Sequence, residues 1–168
     1  MKAKSYKQLF QDKSRAKLIP FFVLGDPYPE ASLSLILAAV EAGADALELG
    51  IPFSDPIADG PTIQNADNRA LNQGVNTQIA FDLIKKIREK TDIPIGLLLY
   101  YNLVCHYGLD AFYRDAAEAG INSVLIADLC IDDAGEVDPY INKYNLDSVY
   151  MVTPNTSQER QQKIVEKC

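Results

Sequence analysis

Cysteine is scarce, with only Cys105, Cys130 and Cys168 in 168 residues. The number is odd and no Cys-x-x-Cys pair occurs, which excludes a disulfide framework or a cysteine-based zinc site. A reducing compartment follows, so a cytoplasmic protein is expected. Positive charge is also in short supply, with 16 Lys and Arg against 23 Asp and Glu and a net charge of −7. A nucleic-acid partner needs a basic stripe to displace phosphate counterions, and no such stripe is present. Long apolar runs are missing as well. Leu35–Val40 and Ile93–Tyr101, the latter broken by Pro94 and Gly96, fall short of the roughly 20 residues of a membrane span. Met1 to Lys7 is basic but has no apolar stretch behind it, so it does not read as a secretory signal. A soluble chain with no membrane and no nucleic-acid partner is expected. Any phosphate-bearing ligand must be gripped locally rather than by the overall field.

What is present is a balanced globular composition, 48% apolar and 23% charged. One unit repeats, a short apolar strand followed by an amphipathic helix. Leu18–Gly25 reads as a buried strand that ends in the Gly25-Asp26-Pro27 turn. Pro29–Ala42 reads as a helix with Leu33, Leu37 and Val40 on one face and Gly43 as its stop. Ala46–Gly50 is the second strand, and a polar loop, Ile51–Pro61, precedes a short helix over Thr62–Asn72. A helix over Thr77–Lys90, a strand at Ile93–Leu99 and a helix near Asp110–Ala119 follow. Ser123–Ala127, a helix around Asp133–Tyr144, a strand at Ser148–Val152 and a helix from Ser157 complete the chain. Glu41-Ala42-Gly43 before strand two echoes Glu118-Ala119-Gly120 before strand four, each a helix stopped by a left-handed glycine.

Alternating strands and helices predict a parallel sheet with right-handed crossovers, residues 1–168 forming one domain. No Gly-x-Gly-x-x-Gly follows the first strand, which argues against a dinucleotide fold. A closed (β/α)₈ barrel takes about 250 residues, so five strands here amount to about five-eighths of one. The count leaves an open sheet and a partial barrel both standing.

Strand two carries the chemistry. In Asp45-Ala46-Leu47-Glu48-Leu49-Gly50 the side chains alternate, so Leu47 and Leu49 face helices while Ala46, Glu48 and Gly50 face the other side. In a barrel that side is the interior, near the strand ends that hold catalytic groups. No Lys or Arg occurs in any of the strand segments, so burial without a cationic partner should raise the Glu48 pKa and suit it to acid–base work. A buried glutamate satisfied by tyrosine or backbone groups is the alternative. In the following loop, Asp59 can reach back over the strand end to stand opposite Glu48, giving two carboxylates in different environments. Asp55 and Asp59 read equally well as turn and N-cap residues ahead of the Thr62 helix. His106 beside Cys105 reads as packing or surface, and Lys85, Lys86, Arg88 and Lys90 read as a solvated helix face.

The run Leu47-Glu48-Leu49-Gly50-Ile51-Pro52-Phe53-Ser54-Asp55-Pro56-Ile57-Ala58-Asp59-Gly60-Pro61-Thr62-Ile63-Gln64 closely resembles the signature of the tryptophan synthase alpha-chain family. The resemblance extends through Pro20–Pro27, Pro94–Asn102, Ser123–Asp128 and Thr153-Pro154-Asn155, in order along the chain. It implies the N-terminal portion of a TIM (β/α)₈ barrel, with about five parallel strands. It also implies a lyase of tryptophan biosynthesis that cleaves indole-3-glycerol phosphate to indole and glyceraldehyde 3-phosphate. By the same resemblance Glu48 matches the general acid/base and Asp59 the acid that meets the indole nitrogen. Phe21, Leu98, Tyr100, Leu125 and Ala127 match positions that line or border the indole pocket, though by sequence alone each reads more readily as core than as ligand contact. Pro52, Asp55 and Asn102 match positions near the interface with a beta chain, in an α2β2 heterotetramer. The family implies no metal and no cofactor in this chain, pyridoxal phosphate belonging to the beta chain. Its phosphate-holding turns belong to later strands and have no counterpart before Cys168. The alternative expectation is a non-catalytic module that docks a beta chain or pairs with itself.

Overall fold

The computed structural model describes residues 4–168. Five strands form one sheet in the order β1-β2-β3-β4-β5, every neighbouring pair parallel. They are β1 (Phe21–Val23), β2 (Leu47–Gly50), β3 (Ile95–Leu99), β4 (Ser123–Ile126) and β5 (Asp147–Val149). The helices are α1 (Tyr6–Leu9), α2 (Pro29–Glu41), α3 (Pro61–Asn72), α4 (Thr77–Arg88), α5 (Tyr101–Tyr107), α6 (Leu109–Ala119), α7 (Asp138–Tyr144) and α8 (Gln158–Lys167). Strand order that follows chain order, with helices in the crossovers, is the winding of a barrel rather than of a doubly wound sheet.

Register sorts the side chains into rows. Phe21, Glu48, Gly96, Ser123 and Asp147 stand side by side across the sheet, and Val23, Gly50, Leu98, Leu125 and Val149 form the next row on the same face. The intervening positions, Leu47, Leu49, Ile95, Leu97, Leu99, Val124 and Ile126, pack on the other face against Ile36, Phe81, Ile84, Ile87 and Phe112 of the helices. A second, smaller cluster joins Val23 to Ala66, Ala70 and Val75. Each fully buried Leu, Ile or Phe contributes about 1.5–3 kcal/mol, so the helix-facing rows hold the fold and free the opposite face for chemistry.

Several boundaries differ from expectation. Strand one is shorter than Leu18–Gly25 because it is an edge, with Leu18 61% exposed and Pro20 lacking an N–H. Strand five covers Asp147–Val149 rather than Ser148–Val152, and Met151 and Val152 are exposed past its end. The expected helix over Asp133–Tyr144 is two pieces, a 3₁₀ segment at Ile131–Glu136 and α7, because Pro139 starts a new helix and cannot continue an old one. On α2 the inward residues are Ser32 and Ile36, with Leu33 and Val40 only partly buried. Two short helices, α1 and α5, were not expected, being too brief to show a period.

Arg88 overturns the reading of its helix face as solvated. It is 8% exposed. Its guanidinium donates to the carbonyls of Gly120 (2.7 Å) and Ile93 (2.7 Å) and to Asn122 Oδ1 (3.1 Å), tying the end of α4 to the starts of β3 and β4. Both echoed glycines take positive φ, 101° at Gly43 and 90° at Gly120, as the left-handed helix stops require.

Candidate active site

Glu48 occupies the centre of the interior face, half-buried. Its row neighbours, Phe21 and Gly96, offer no charge, and burial is the one cause that raises its pKa above the ordinary glutamate range. A cavity of about 440 Å³ opens in front of it, lined by Tyr6, Ile19, Gly96, Ser123, Leu125 and Val149 among others. Beneath it the short helix α1, held by the reciprocal Ser5–Gln8 capping box, presents Tyr6. The Ser123 hydroxyl lies 3.2 Å from the Tyr6 hydroxyl. A Cβ on Gly96 would meet both hydroxyls at 2.8 Å, so glycine is what lets this floor form. No sequence signal pointed to Tyr6 or Ser123, because both read as ordinary polar residues until register placed them under the glutamate.

Asp59 is not an N-cap. Gly60 takes that position, Pro61 begins α3, and the Asp59 carboxylate instead accepts a 2.6 Å hydrogen bond from the Tyr100 hydroxyl. That hydroxyl accepts in turn from the Ala58 N–H at 3.0 Å, and the Tyr100 ring stacks on Phe53 with centroids 5.2 Å apart. Gln64 donates to the Asp59 carbonyl at 2.8 Å. Tyr100 therefore fastens both ends of the loop after β2. Burial and the bond to Asp59 push its own pKa up to about 12. Asp55 is exposed at the loop's tip, accepting from Ser54 at 2.5 Å.

The remaining expected residues fall into separate groups. Phe21, Leu98 and Tyr100 share with Asp59 a small cavity of about 10 Å³, and Leu125 joins Glu48 in the larger one. The two acids thus open onto different spaces instead of facing each other across one, with the Phe21 ring lying over Gly50 between them. Ala127 lines a third cleft of about 620 Å³ with Asp128, Thr153, Asn155 and Arg160. Pro52 and Asn102 border an outer groove of about 290 Å³ with Phe53, Leu103 and His106, while Asp55 does not. A third acid carries no sequence signal of its own. Asp67 of α3, 5% exposed, opens onto the Asp59 cavity. Burial, together with the charges of Asp59 and Asp26, pushes its pKa up to about 6.

The sequence matches the family described as tryptophan synthase alpha chain over residues 7–168. The chain belongs to the tryptophan synthase alpha-chain family. The tryptophan synthase alpha chain of Methanothermobacter thermautotrophicus is 49% identical over 165 residues, covering 98% of this chain and 61% of that protein. The tryptophan synthase alpha chain of Edwardsiella ictaluri is 50% identical over 154 residues, 89% of this chain and 58% of that one. Among solved structures, the alpha subunit of Legionella pneumophila superposes with a TM-score of 0.91 at 38% identity, over 96% of this chain and 63% of the subunit. The tryptophan synthase complex of Pyrococcus furiosus gives 0.86 at 38% identity, over 90% and 63%. The chain thus spans about three-fifths of the length of the curated relatives it matches, and its five strands are part of their barrel. Among the described residues no helix is long and apolar enough to cross a membrane, and no group of His, Cys, Asp and Glu has the makings of a metal site.

Proposed function

We propose that this chain serves as the alpha-type lyase of tryptophan synthesis, cleaving indole-3-glycerol phosphate to indole and glyceraldehyde 3-phosphate. The observation that carries the reading is Glu48, an interior carboxyl raised by burial alone, on the strand whose family signature continues to a Tyr100-held Asp59. The reaction needs a group that both gives and takes a proton near neutrality. Glu48 protonates the indole ring at C3, and the ring nitrogen acquires positive charge while keeping its N–H. Asp59 accepts that N–H and stabilises the charge. The bond from C3 to the glycerol carbon then breaks, its electron pair restoring the aromatic ring. The adjacent hydroxyl becomes the aldehyde and returns its proton to Glu48, so protons balance. In this reading the ring enters the Glu48 cavity of about 440 Å³, which Leu125 lines, with Phe21 and Leu98 between it and Asp59.

The partner we propose is a beta chain in an α2β2 assembly, docked on the surface that includes Pro52, Asp55 and Asn102. The solved tryptophan synthase complex from Pyrococcus furiosus supports a partner chain. As the family resemblance implies, we assign pyridoxal phosphate to the beta chain and no cofactor to this one. The phosphate of the substrate would be held outside the five strands described, in the barrel portion that completes the family's length. The test is indole release from indole-3-glycerol phosphate by the chain supplied with those remaining strands and a beta chain. Cleavage is expected. A chain that docks the beta chain yet releases no indole would identify a non-catalytic module instead.

A further inference from the structure

Asp59 is held from two sides. From the end of β3, the Tyr100 hydroxyl donates to its carboxylate at 2.6 Å and accepts from the Ala58 N–H at 3.0 Å. From α3, the Gln64 side-chain amide donates to the Asp59 carbonyl at 2.8 Å. The loop's own turn completes the set, the Asp59 N–H donating to the Pro56 carbonyl at 3.1 Å. Gln64 closes the first turn of α3, where its own N–H and that of Ile63 donate to the carbonyl of Gly60 at 3.0 and 3.1 Å. Gly60 caps the helix with no side chain to offer. The Gln64 side chain folds back over that start and grips the backbone just ahead of it.

The helix behind that amide is itself anchored. Ala66 and Ala70 pack with Val23 of β1 and with Val75. Arg69 forks onto Asp26 through two bonds of 2.6 and 2.9 Å, tying α3 to the turn after β1. Gln64, by contrast, is exposed and has no part in the core. An exposed neutral hydrogen bond adds little net stability, because water replaces it readily. What this one supplies is geometry. We propose that Gln64 is a positioning residue for Asp59, its amide fixing the Asp59 carbonyl against α3 while Tyr100 fixes the carboxylate against β3. This role deepens the lyase reading and rests on it for the meaning of Asp59. The acid has to meet a ring N–H whose charge develops only in the transition state, and a carboxylate displaced from that spot loses the stabilisation. With its carbonyl released, Asp59 can pivot about the single bond to Tyr100.

Gln64→Glu tests this in the chain completed by the remaining strands. Glutamate keeps the length, but its carboxylate cannot donate and repels the Asp59 carbonyl. An acid in the first turn of a helix is favourable, so the thermal midpoint should stay close to the parent's. Hydrogen exchange at the Ile57 and Asp59 amides should nevertheless quicken by at least about threefold, with β2 and β3 unchanged. Gln64→Ala, which loses the amide without adding charge, should quicken the same amides. In the cleavage assay Gln64→Glu should lower kcat about tenfold with KM changed less than about twofold, the pattern of an interaction felt mainly in the transition state. A negative charge added near Asp59 would by itself favour the cation forming on the ring, so charge does not account for such a fall. In an Asp59→Asn background the same substitution should cost less than about twofold, because the group it positions is already neutral. Parental kcat in Gln64→Glu, unchanged exchange at Ile57 and Asp59 in both variants, or an equal fall in both backgrounds overturns the proposal. Absence of cleavage in the parent would count against the lyase reading alone, and the exchange measurement then decides the role of Gln64 by itself.

Discussion

Glu48 is a half-buried carboxyl whose row neighbours, Phe21 and Gly96, carry no charge. Strict alternation in β2 placed it on the face opposite Leu47 and Leu49, and the lack of any strand lysine or arginine foretold that burial would go uncompensated. The carboxyl of Glu48 should titrate above its ordinary value of about 4.3, and carboxyl NMR that returned a value at or below it would mean an unseen cationic partner. Asp67 was not legible, because Thr62–Asn72 reads simply as a short helix until Ala66 and Ala70 are seen packing on Val23. Its thermodynamic sign is definite. The folded pKa lies near 6 against 3.8 for the free side chain, so the folded state holds the proton more tightly. Stability is full at low pH and declines as pH rises from about 4 through 6. Asp67→Asn, being always neutral, should then be more stable than the parent by on the order of 2 kcal/mol at pH 7.5, with the difference vanishing below pH 4. Urea denaturation at the two pH values checks this, and equal gains at both would contradict it. Tyr100→Phe leaves Asp59 and the Ala58 N–H without their shared partner. It should cost about 1 kcal/mol of stability and slow cleavage, since water replaces the first loss more readily than the second.

At the level of elements, the strong periods were readable and the short pieces were not. α4 could be placed from its apolar spacing to within two residues, whereas α5 gives no period in seven residues and is set by Tyr100 before it and the positive-φ Gly108 after it. Asp59 illustrates the remaining limit. Its place in a turn ahead of a helix suited an N-cap, and only the tertiary approach of β3 gave Tyr100 the chance to claim it. The helix stop at Gly120 is doubly constrained, by a φ of 90° and by the Arg88 side chain, whose nearest atoms would stand 2.9 Å from an added Cβ. Gly120→Ala should therefore cost about 1–3 kcal/mol. Gly135→Ala, in the 3₁₀ segment with open space around it, should change stability by less than about 0.5 kcal/mol. Paired thermal melts of the two variants make the comparison, and equal effects would remove Arg88 and Gly120 from their role as a clamp.

On the scale of the molecule, β1 and β5 are the edges of the sheet, and the exposed Leu18, Ile19, Met151 and Val152 lie beside them. Unpaired edges with apolar flanks seek partners. The 168-residue chain by itself should therefore self-associate at micromolar concentration, which light scattering would register, whereas a monodisperse monomer would show that the edges are better protected than their exposure indicates. The same geometry unites the account, since helices cover one face of the sheet and leave Glu48 on the other, in a cavity that the rest of a barrel would close. The most direct test of that account is the cleavage rate of Glu48→Gln in a chain completed by the remaining strands. Glutamine keeps the shape and loses the transferable proton, so turnover should fall by at least about 100-fold while the thermal melt stays close to the parent's. Turnover near the parental rate would contradict the assignment of Glu48 as the proton carrier, and with it the proposed lyase mechanism.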